Sequence, residues 1–432
     1  MSSYYEEPSR QIPIVAKADV LVAGGGPAGV AAALAAAGAG ARVTLIEAHG
    51  PLGGVWTTGL LTWILDHDNK PGIMRQIMAR LEQRDARRAN AYDAEQMKLV
   101  LERMCLEAGV AVRLHTRIAA AARDEANRLA VAITENKSGR QAWAAQVFID
   151  CTGDGDLGAL AGCGFDVGRP AEGPGSAGAD RAGETQPMSL MCLLTGIEHA
   201  PLNAAGVERG GDVDVRQAKQ RLLEVMAEAG VTPSYGQPTL FCVRDDLHAL
   251  MANHEYGRSA MDAGDLTEAT IAARDEVHRL VDALRGLGGM WANVRIVATG
   301  AQIGVREGRR IRGRYLVSTE DMVVGRAHDD AVCRVTFGFD VHSTNQAADG
   351  PAIDHARDAR RQADAYTIPL RALIAADCDG LMMAGRCISG DFLAHSSYRV
   401  TGNAVAMGEA AGRCAAVAAA SGRLPHEVAY NE

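Results

Sequence analysis

The sequence predicts an α/β fold: a parallel sheet flanked by helices, with a smaller α+β unit inserted into it. Three observations carry this. The run Val20-Leu21-Val22-Ala23 has strand character and meets the cluster Gly24-Gly25-Gly26-Pro27-Ala28-Gly29. Residues 30–39 are then almost all alanine and leucine, as a buried helix requires. Further strand-like pieces follow near 42–46, 110–116, 128–134 and 142–150, the later ones after two amphipathic helical segments within 71–109.

The glycine cluster has the spacing Gly24-x-Gly26-x-x-Gly29, with a strand before it and a helix after it. That is the context in which such spacing binds a dinucleotide. Gly24 permits the tight turn, Gly26 lets the backbone approach a pyrophosphate, and Gly29 lets the helix pack on the strand. Pro27 and Ala28 open the helix, whose free N–H groups and partial positive charge face the phosphates. The second strand, residues 42–46, ends in Glu47, where a ribose hydroxyl needs an acceptor. An acid at this place favours FAD or NAD over NADP. The unit is therefore expected to be Rossmann-like.

Composition narrows the remaining classes. A chain of 432 residues with 47% hydrophobic content suits a two- or three-domain globular enzyme. A net charge of −9 with no dominant basic patch argues against nucleic acid and anionic membrane as partners. No apolar stretch reads as a membrane span. Nine cysteines are scattered without a Cys-x-x-Cys pair, which argues against a disulfide framework or a zinc site and for a reducing cytoplasm. The acidic, polar start is not a signal peptide.

After Glu47, Gly53-Gly54-Val55 lets a loop pass close to a ligand. Residues 147–150 lead as a strand into Cys151-Thr152-Gly153-Asp154-Gly155-Asp156. A loop rich in glycine, alanine and proline, 168–183, reads as a crossover or lid. Strands are expected at 188–196, 238–244 and 335–342, and helices at 213–229 and 265–285. Six arginines fall within Arg295 to Arg314, a cluster that reads as a solvated helix end or as contacts for a carboxylate. The segment Gly380-Leu381-Met382-Met383-Ala384-Gly385-Arg386-Cys387 reads as a last strand, and Thr401-Gly402-Asn403 opens a long helix of small residues.

On the fingerprint with Glu47, the Gly53-Gly54 loop, the Cys151-Thr152-Gly153-Asp154 strand end and the Gly380–Cys387 segment, the chain resembles the two-dinucleotide-binding-domain flavoproteins. These are FAD-dependent oxidoreductases related to the glutathione-reductase and hydroxybenzoate-hydroxylase folds. The resemblance implies FAD as cofactor. It implies cofactor contacts from Gly24, Gly26, Pro27, Ala28, Gly29, Glu47, Gly53, Gly54, Val55, Thr152, Gly153, Asp154, Gly385, Arg386, Gly402 and Asn403. It implies three parts: 1–165 and 366–432 forming the FAD domain, and 166–365 forming a substrate domain. Asp154 and Asp156 are read as ribose contacts or helix caps, and Arg306 and Arg309 as structural or substrate contacts. Relatives place a His-Glu pair where this chain reads Phe392-Leu393.

One fingerprint is present, and Gly300 to Gly304 lacks the spacing for a second. The simplest reading is one FAD reduced by a small organic substrate, with oxygen or another electron acceptor as partner. The chain would then be a dehydrogenase or oxidase, compatible with a homo-oligomer. His395 and His342 are the candidate bases by residue type, and Arg399 adds positive charge beside the flavin. Two other readings stand beside it: a flavin hydroxylase reduced by external NAD(P)H, and a flavin-binding redox sensor without catalysis.

Overall fold

The structure, a computed structural model, describes residues 4–170, 183–210, 212–344 and 363–429. The strand β1 (Ile14–Ala23), the helix α1 (Pro27–Gly38) and the strand β2 (Val43–Ile46) form the expected βαβ start. Within β1, Val20 to Ala23 are fully buried, as an apolar central strand of a parallel sheet must be. The sheet has seven strands. β1 lies between β2 and the Gly139–Asp150 strand, parallel to both. The short Leu381–Met383 strand also pairs in parallel with Gly139–Asp150, although it comes more than 200 residues later.

Register places the site. Ala23 lies opposite Ile46 and Asp150, Asp150 opposite Met383, and Ile46 opposite Arg113. Five strand ends therefore stop on one line, and the loops that follow share one edge of the sheet. In open parallel sheets that carboxyl edge is where ligands bind.

The two faces are covered by helices. α1 is apolar all round, and its alanines 28 and 31–33 are buried. The C-terminal helix, Thr401–Ser421, packs directly against it. A Cβ added at Gly408 would lie 2.8 Å from the Ala28 carbonyl carbon, and one at Gly412 2.9 Å from that of Ala32. Only glycine allows this backbone approach, one turn after another. The Ala94–Glu107 helix starts at Asp93, whose carboxylate accepts from the Glu95 and Gln96 N–H groups. Such a cap contributes about 1 kcal/mol.

A second, antiparallel sheet is ordered Thr239–Arg244, Leu247–Met251, Cys192–Thr195, Arg295–Thr299. Helices Val215–Glu228 and Ala263–Gly286 accompany it, and its core includes Leu194, Leu222, Leu250 and Leu280. Among the described residues no helix is long and apolar enough to cross a membrane.

Several expectations change. Residues 117–123, alanine-rich, form a strand paired antiparallel with Leu129–Asn136. The strand expected over 188–196 is confined to Cys192–Thr195. The strand expected over 335–342 is displaced: the strand is Ala331–Val335, and 336–342 run irregularly. The arginine cluster is no helix end but extended chain ending in Arg310–Ile311. Most of the 168–183 loop and of the polar stretch 343–363 lies outside the described residues.

Candidate active site

The fingerprint glycines divide their work. A Cβ at Gly29 would overlap the Gly24 carbonyl, so this glycine belongs to the fold. A Cβ at Gly26 would meet nothing within 4 Å. Gly26 therefore keeps clear a space bounded by the start of α1. Gly54 closes the other side: a Cβ added there would lie 3.1 Å from the Gly26 Cα. Pro27 and Ala28 begin α1, and Val55 sits in the turn Gly54–Trp56. Glu47 is buried at the end of β2. Its Oε2 accepts the Gly25 N–H at 2.6 Å, and its Oε1 accepts the His49 N–H at 2.7 Å with His49 Nδ1 at 2.9 Å. A carboxylate has about four acceptor sites, so Oε2 can take one further donor, as a ribose hydroxyl would be.

The third strand end carries a carboxylate that sequence reasoning missed. Asp150, fully buried, accepts the Thr152 N–H and hydroxyl and the Gly158 N–H. Burial pushes it up to about 6 against those three bonds. Its signal is an acid at the end of an otherwise apolar strand. Thr152 Oγ1 in turn accepts the Asp156 N–H, so it is Thr152, not Asp156, that caps the short Asp156–Leu160 helix. Asp154 receives Arg386 at 2.6 Å, and Arg309 bonds the Asp154 carbonyl and the Asp156 carboxylate. Gly153 lies under the Arg386 guanidinium, and Gly385 against Ala28. The residues from the early and late halves of the chain thus meet at one crevice.

Does this crevice suit FAD? The open space at Gly26 fits a pyrophosphate. Two buried groups, Arg386 Nε and Asn403 Nδ2, have no hydrogen-bond partner among the described residues, as donors for a bound ligand would. One expectation fails: the Gly402 N–H is donated to the Leu65 carbonyl and is not free.

Arg399 and His342 are brought together, by a residue the sequence did not single out. Asp340 accepts Arg399 at 3.0 Å and lies 3.6 Å from His342 Nε2. Burial raises Asp340, but the contact with the His342 ring and the charges of Arg399 and Arg306 outweigh it and hold the carboxyl well below its ordinary range. The Asp340 side chain lies deep among protein groups yet keeps 31% of its accessibility, so it lines a recess. Gln186, fully buried, accepts the His342 N–H. Tyr235 and His254 stack near the His342 ring, with centroids 5.7 and 5.0 Å from it. Burial and Arg306 keep His342 neutral. Arg306 is itself buried and anchored to the Pro187 carbonyl and the Ser189 hydroxyl. Its pKa is pushed down to about 10 by burial and by Arg399. Arg209 stacks 4.2 Å over Trp63, and Lys219 bonds Gln237. Among the described residues neither has a carboxylate partner.

His395 lies in the helix Phe392–Tyr398, not in a loop, and is fully buried against Tyr398. Among the described residues neither ring nitrogen has a hydrogen bond of ordinary geometry, although the Arg386 main chain lies close. Burial, then Arg310, Arg399 and Arg386, push its pKa well down. Below about pH 6.5 an unfolded histidine takes up a proton that this folded ring refuses. Stability at this site is therefore lost as pH falls, by about 1.4 kcal/mol per pH unit. His395→Gln should flatten the decline of Tm between about pH 6.5 and 5, the window just below the free histidine pKa. An unchanged slope would mean that the folded ring protonates.

No curated protein matches the sequence. Solved structures align with the chain at low identity. The flavin-dependent brominase Bmp2 aligns at a TM-score of 0.51 and 13% identity, over 96% of this chain and 83% of that one. A geranylgeranyl bacteriochlorophyll reductase-like protein from Thermoplasma acidophilum aligns at 0.47 and 13%, over 94% and 79%. The p-nitrophenol 4-monooxygenase PnpA from Pseudomonas putida aligns at 0.44 and 10%, over 94% and 81%. A family model described as FAD dependent oxidoreductase matches residues 19–432. The chain, an FAD enzyme built on a mainly parallel sheet, belongs to the FAD-dependent oxidoreductase family.

Proposed function

We propose that this enzyme oxidises a small organic anion, a carboxylate-bearing alcohol or amine, as a dehydrogenase or oxidase. One observation carries the reading: the recess around Asp340 has a surplus of positive charge. Arg209, Lys219, Arg306 and Arg399 all lie within the electrostatic reach of Asp340, and the other carboxylate near Arg399, Glu307, is already paired with Arg310. Partly buried cations that outnumber their counter-charges are costly, and an anionic substrate would relieve that cost. Arg209 and Lys219 bind its carboxylate. Arg399 is a positioning residue that holds Asp340. His342, kept neutral and aligned by Asp340, takes the proton released as the substrate is oxidised. FAD, when bound through the Gly24–Gly29 loop, Glu47, Arg386 and Asn403, supplies the two-electron acceptor. Oxygen or another acceptor removes those electrons at the end of each turnover.

The test is anaerobic bleaching of the purified yellow enzyme by matched pairs of compounds, each anion beside its neutral ester or amide. Anions should bleach the flavin at least ten-fold more efficiently. Arg209→Ala and Lys219→Ala should each raise KM for the anion ten-fold or more with a smaller change in kcat, as expected for a lost charge-assisted bond of about 1.5–3 kcal/mol. Equal bleaching by the neutral partners would overturn the substrate class. Rapid bleaching by NAD(P)H without substrate would instead identify a hydroxylase. Bleaching by dithionite but by no metabolite, with no turnover of any electron acceptor, would identify a redox sensor.

A further inference from the structure

A second cluster lies on the antiparallel sheet and takes no part in the chemistry above. His199 is the first residue of the helix His199–Ala204, and Glu208 follows in the next loop. Cys242 and His248 face each other across the hairpin of Thr239–Arg244 and Leu247–Met251. One ligand atom from each of the four lies within 4.8 Å of every other. Three of these side chains are buried: Glu208 is 2% exposed, Cys242 5% and His248 0%.

Among the described residues three of the ligand atoms, His199 Nδ1, Glu208 Oε2 and His248 Nε2, have no hydrogen-bond partner, and the fourth, Cys242 Sγ, makes a long contact of 3.8 Å to the Asp245 carbonyl. His248 Nδ1 faces the Asp246 carbonyl at 3.2 Å, while its buried Nε2 has no partner. A backbone carbonyl on one ring nitrogen, with the other left bare, is how proteins orient a metal-binding imidazole. Glu208 Oε1 is fixed by the Cys242 N–H at 2.8 Å, leaving Oε2 to converge with His199 Nδ1 at 2.6 Å, out of line for a hydrogen bond. Arg88, exposed on its strand, covers the mouth, 3.5 Å from Cys242 Sγ and 3.2 Å from His199 Nε2.

We propose that His199, Glu208, Cys242 and His248 bind a zinc ion. One thiolate, two imidazoles and one carboxylate are a borderline-soft donor set, and four protein ligands make a closed, structural site. Tetrahedral bonds of about 2.0–2.3 Å need ligand atoms roughly 3.5 Å apart, so the cluster closes by small side-chain movements. Binding releases the Cys242 thiol proton. Zinc, one thiolate and one carboxylate then sum to zero, which makes burial of the centre inexpensive. Arg88 swings outward into solvent. The ion ties Glu208 to the hairpin, and with it the neighbouring Arg209 over Trp63. Sequence spacing could not reveal this site, because its ligands come from separate segments. The proposal does not depend on the substrate assigned above.

The experiment uses the flavin-loaded enzyme. Zinc is measured per flavin as purified, removed by dialysis against EDTA, and restored by titration with zinc chloride against a chromophoric chelator. About one equivalent should bind with a Kd below roughly 1 μM, as zinc sites of this kind do. Cys242→Ser and His248→Gln should each weaken binding at least a hundred-fold while flavin content and circular dichroism stay unchanged. Should either variant fail to fold, alkylation of the wild type decides: zinc should protect Cys242, identified by mass spectrometry, and EDTA should expose it. No uptake by the wild type, uptake unaffected by both variants, or Cys242 alkylation indifferent to zinc would each overturn the site.

Discussion

Gly26→Val yields a folded, colourless protein. The residue has φ −71° and ψ −173°, extended backbone that valine adopts without strain. A Cβ there meets no protein atom within 4 Å, so the side chain enters open space. The fold therefore tolerates the change. The ligand does not, because the branched side chain fills the space kept clear for the pyrophosphate. Affinity for FAD should fall by a hundred-fold or more, a loss of about 2.7 kcal/mol. The check is flavin released on denaturation, measured beside circular dichroism of the intact variant. The wild type should release FAD rather than FMN, because the Glu47 site holds an adenosine half. Wild-type flavin content in the variant would remove this loop from the cofactor site. Gly29→Ala is the contrasting control: its Cβ would overlap the Gly24 carbonyl, so it should lose the fold itself.

Gly408→Ala produces a large loss of stability from a single methyl group in a protein that still folds. Its Cβ would press on Ala28 backbone atoms, which have no rotamer to yield. The helix cannot back away, because Gly412 makes the same approach to Ala32. Overpacking of well-packed sites costs about 1–3 kcal/mol, and contact of backbone on backbone belongs at the upper end of that range. The displaced element would be α1, whose N-terminus bounds the pyrophosphate space, so flavin should be lost with the stability. Urea midpoints of the flavin-loaded proteins measure the effect. A midpoint within error of wild type would mean that the two helices are not locked together.

The parts legible in the sequence are those set by local spacing. Gly24, Gly26 and Gly29 define a turn within six residues, and the helices 215–228 and 263–286 carry their own periodicity. Parts fixed by distant contacts were missed or misread. Residues 117–123, alanine-rich and assigned no element from the sequence, become a strand by pairing with Leu129–Asn136. Residues 336–342 alternate like a strand. Side chains of the Phe392–Tyr398 helix hold them instead: the Ser397 hydroxyl donates to the Phe337 carbonyl, and Ser396 Oγ accepts the Asp340 N–H. Asp340 was hidden for this reason. Arg306, read as a structural or substrate contact, and Arg310, in a cluster read as a solvated helix end or as carboxylate contacts, are both buried, bonded to carbonyls and, for Arg310, to Glu307. Within the site, the Asp340 partnership with Arg399 and His342 joins residues that no local pattern links.

The joining of α1 to the Thr401–Ser421 helix has a consequence for synthesis. Roughly 380 residues separate Gly24 from Gly408. At about 5–20 residues per second, a ribosome needs some 20–80 s to cover that interval. Through most of it the alanine face of α1, and from about a third of the way the free side of the Gly139–Asp150 strand, have emerged without the partners that later bury them. The nascent chain can fold its antiparallel unit early, but it cannot retain FAD until the last helix has left the exit tunnel. Molecular chaperones therefore have a defined window, and a defined apolar surface, on which to act.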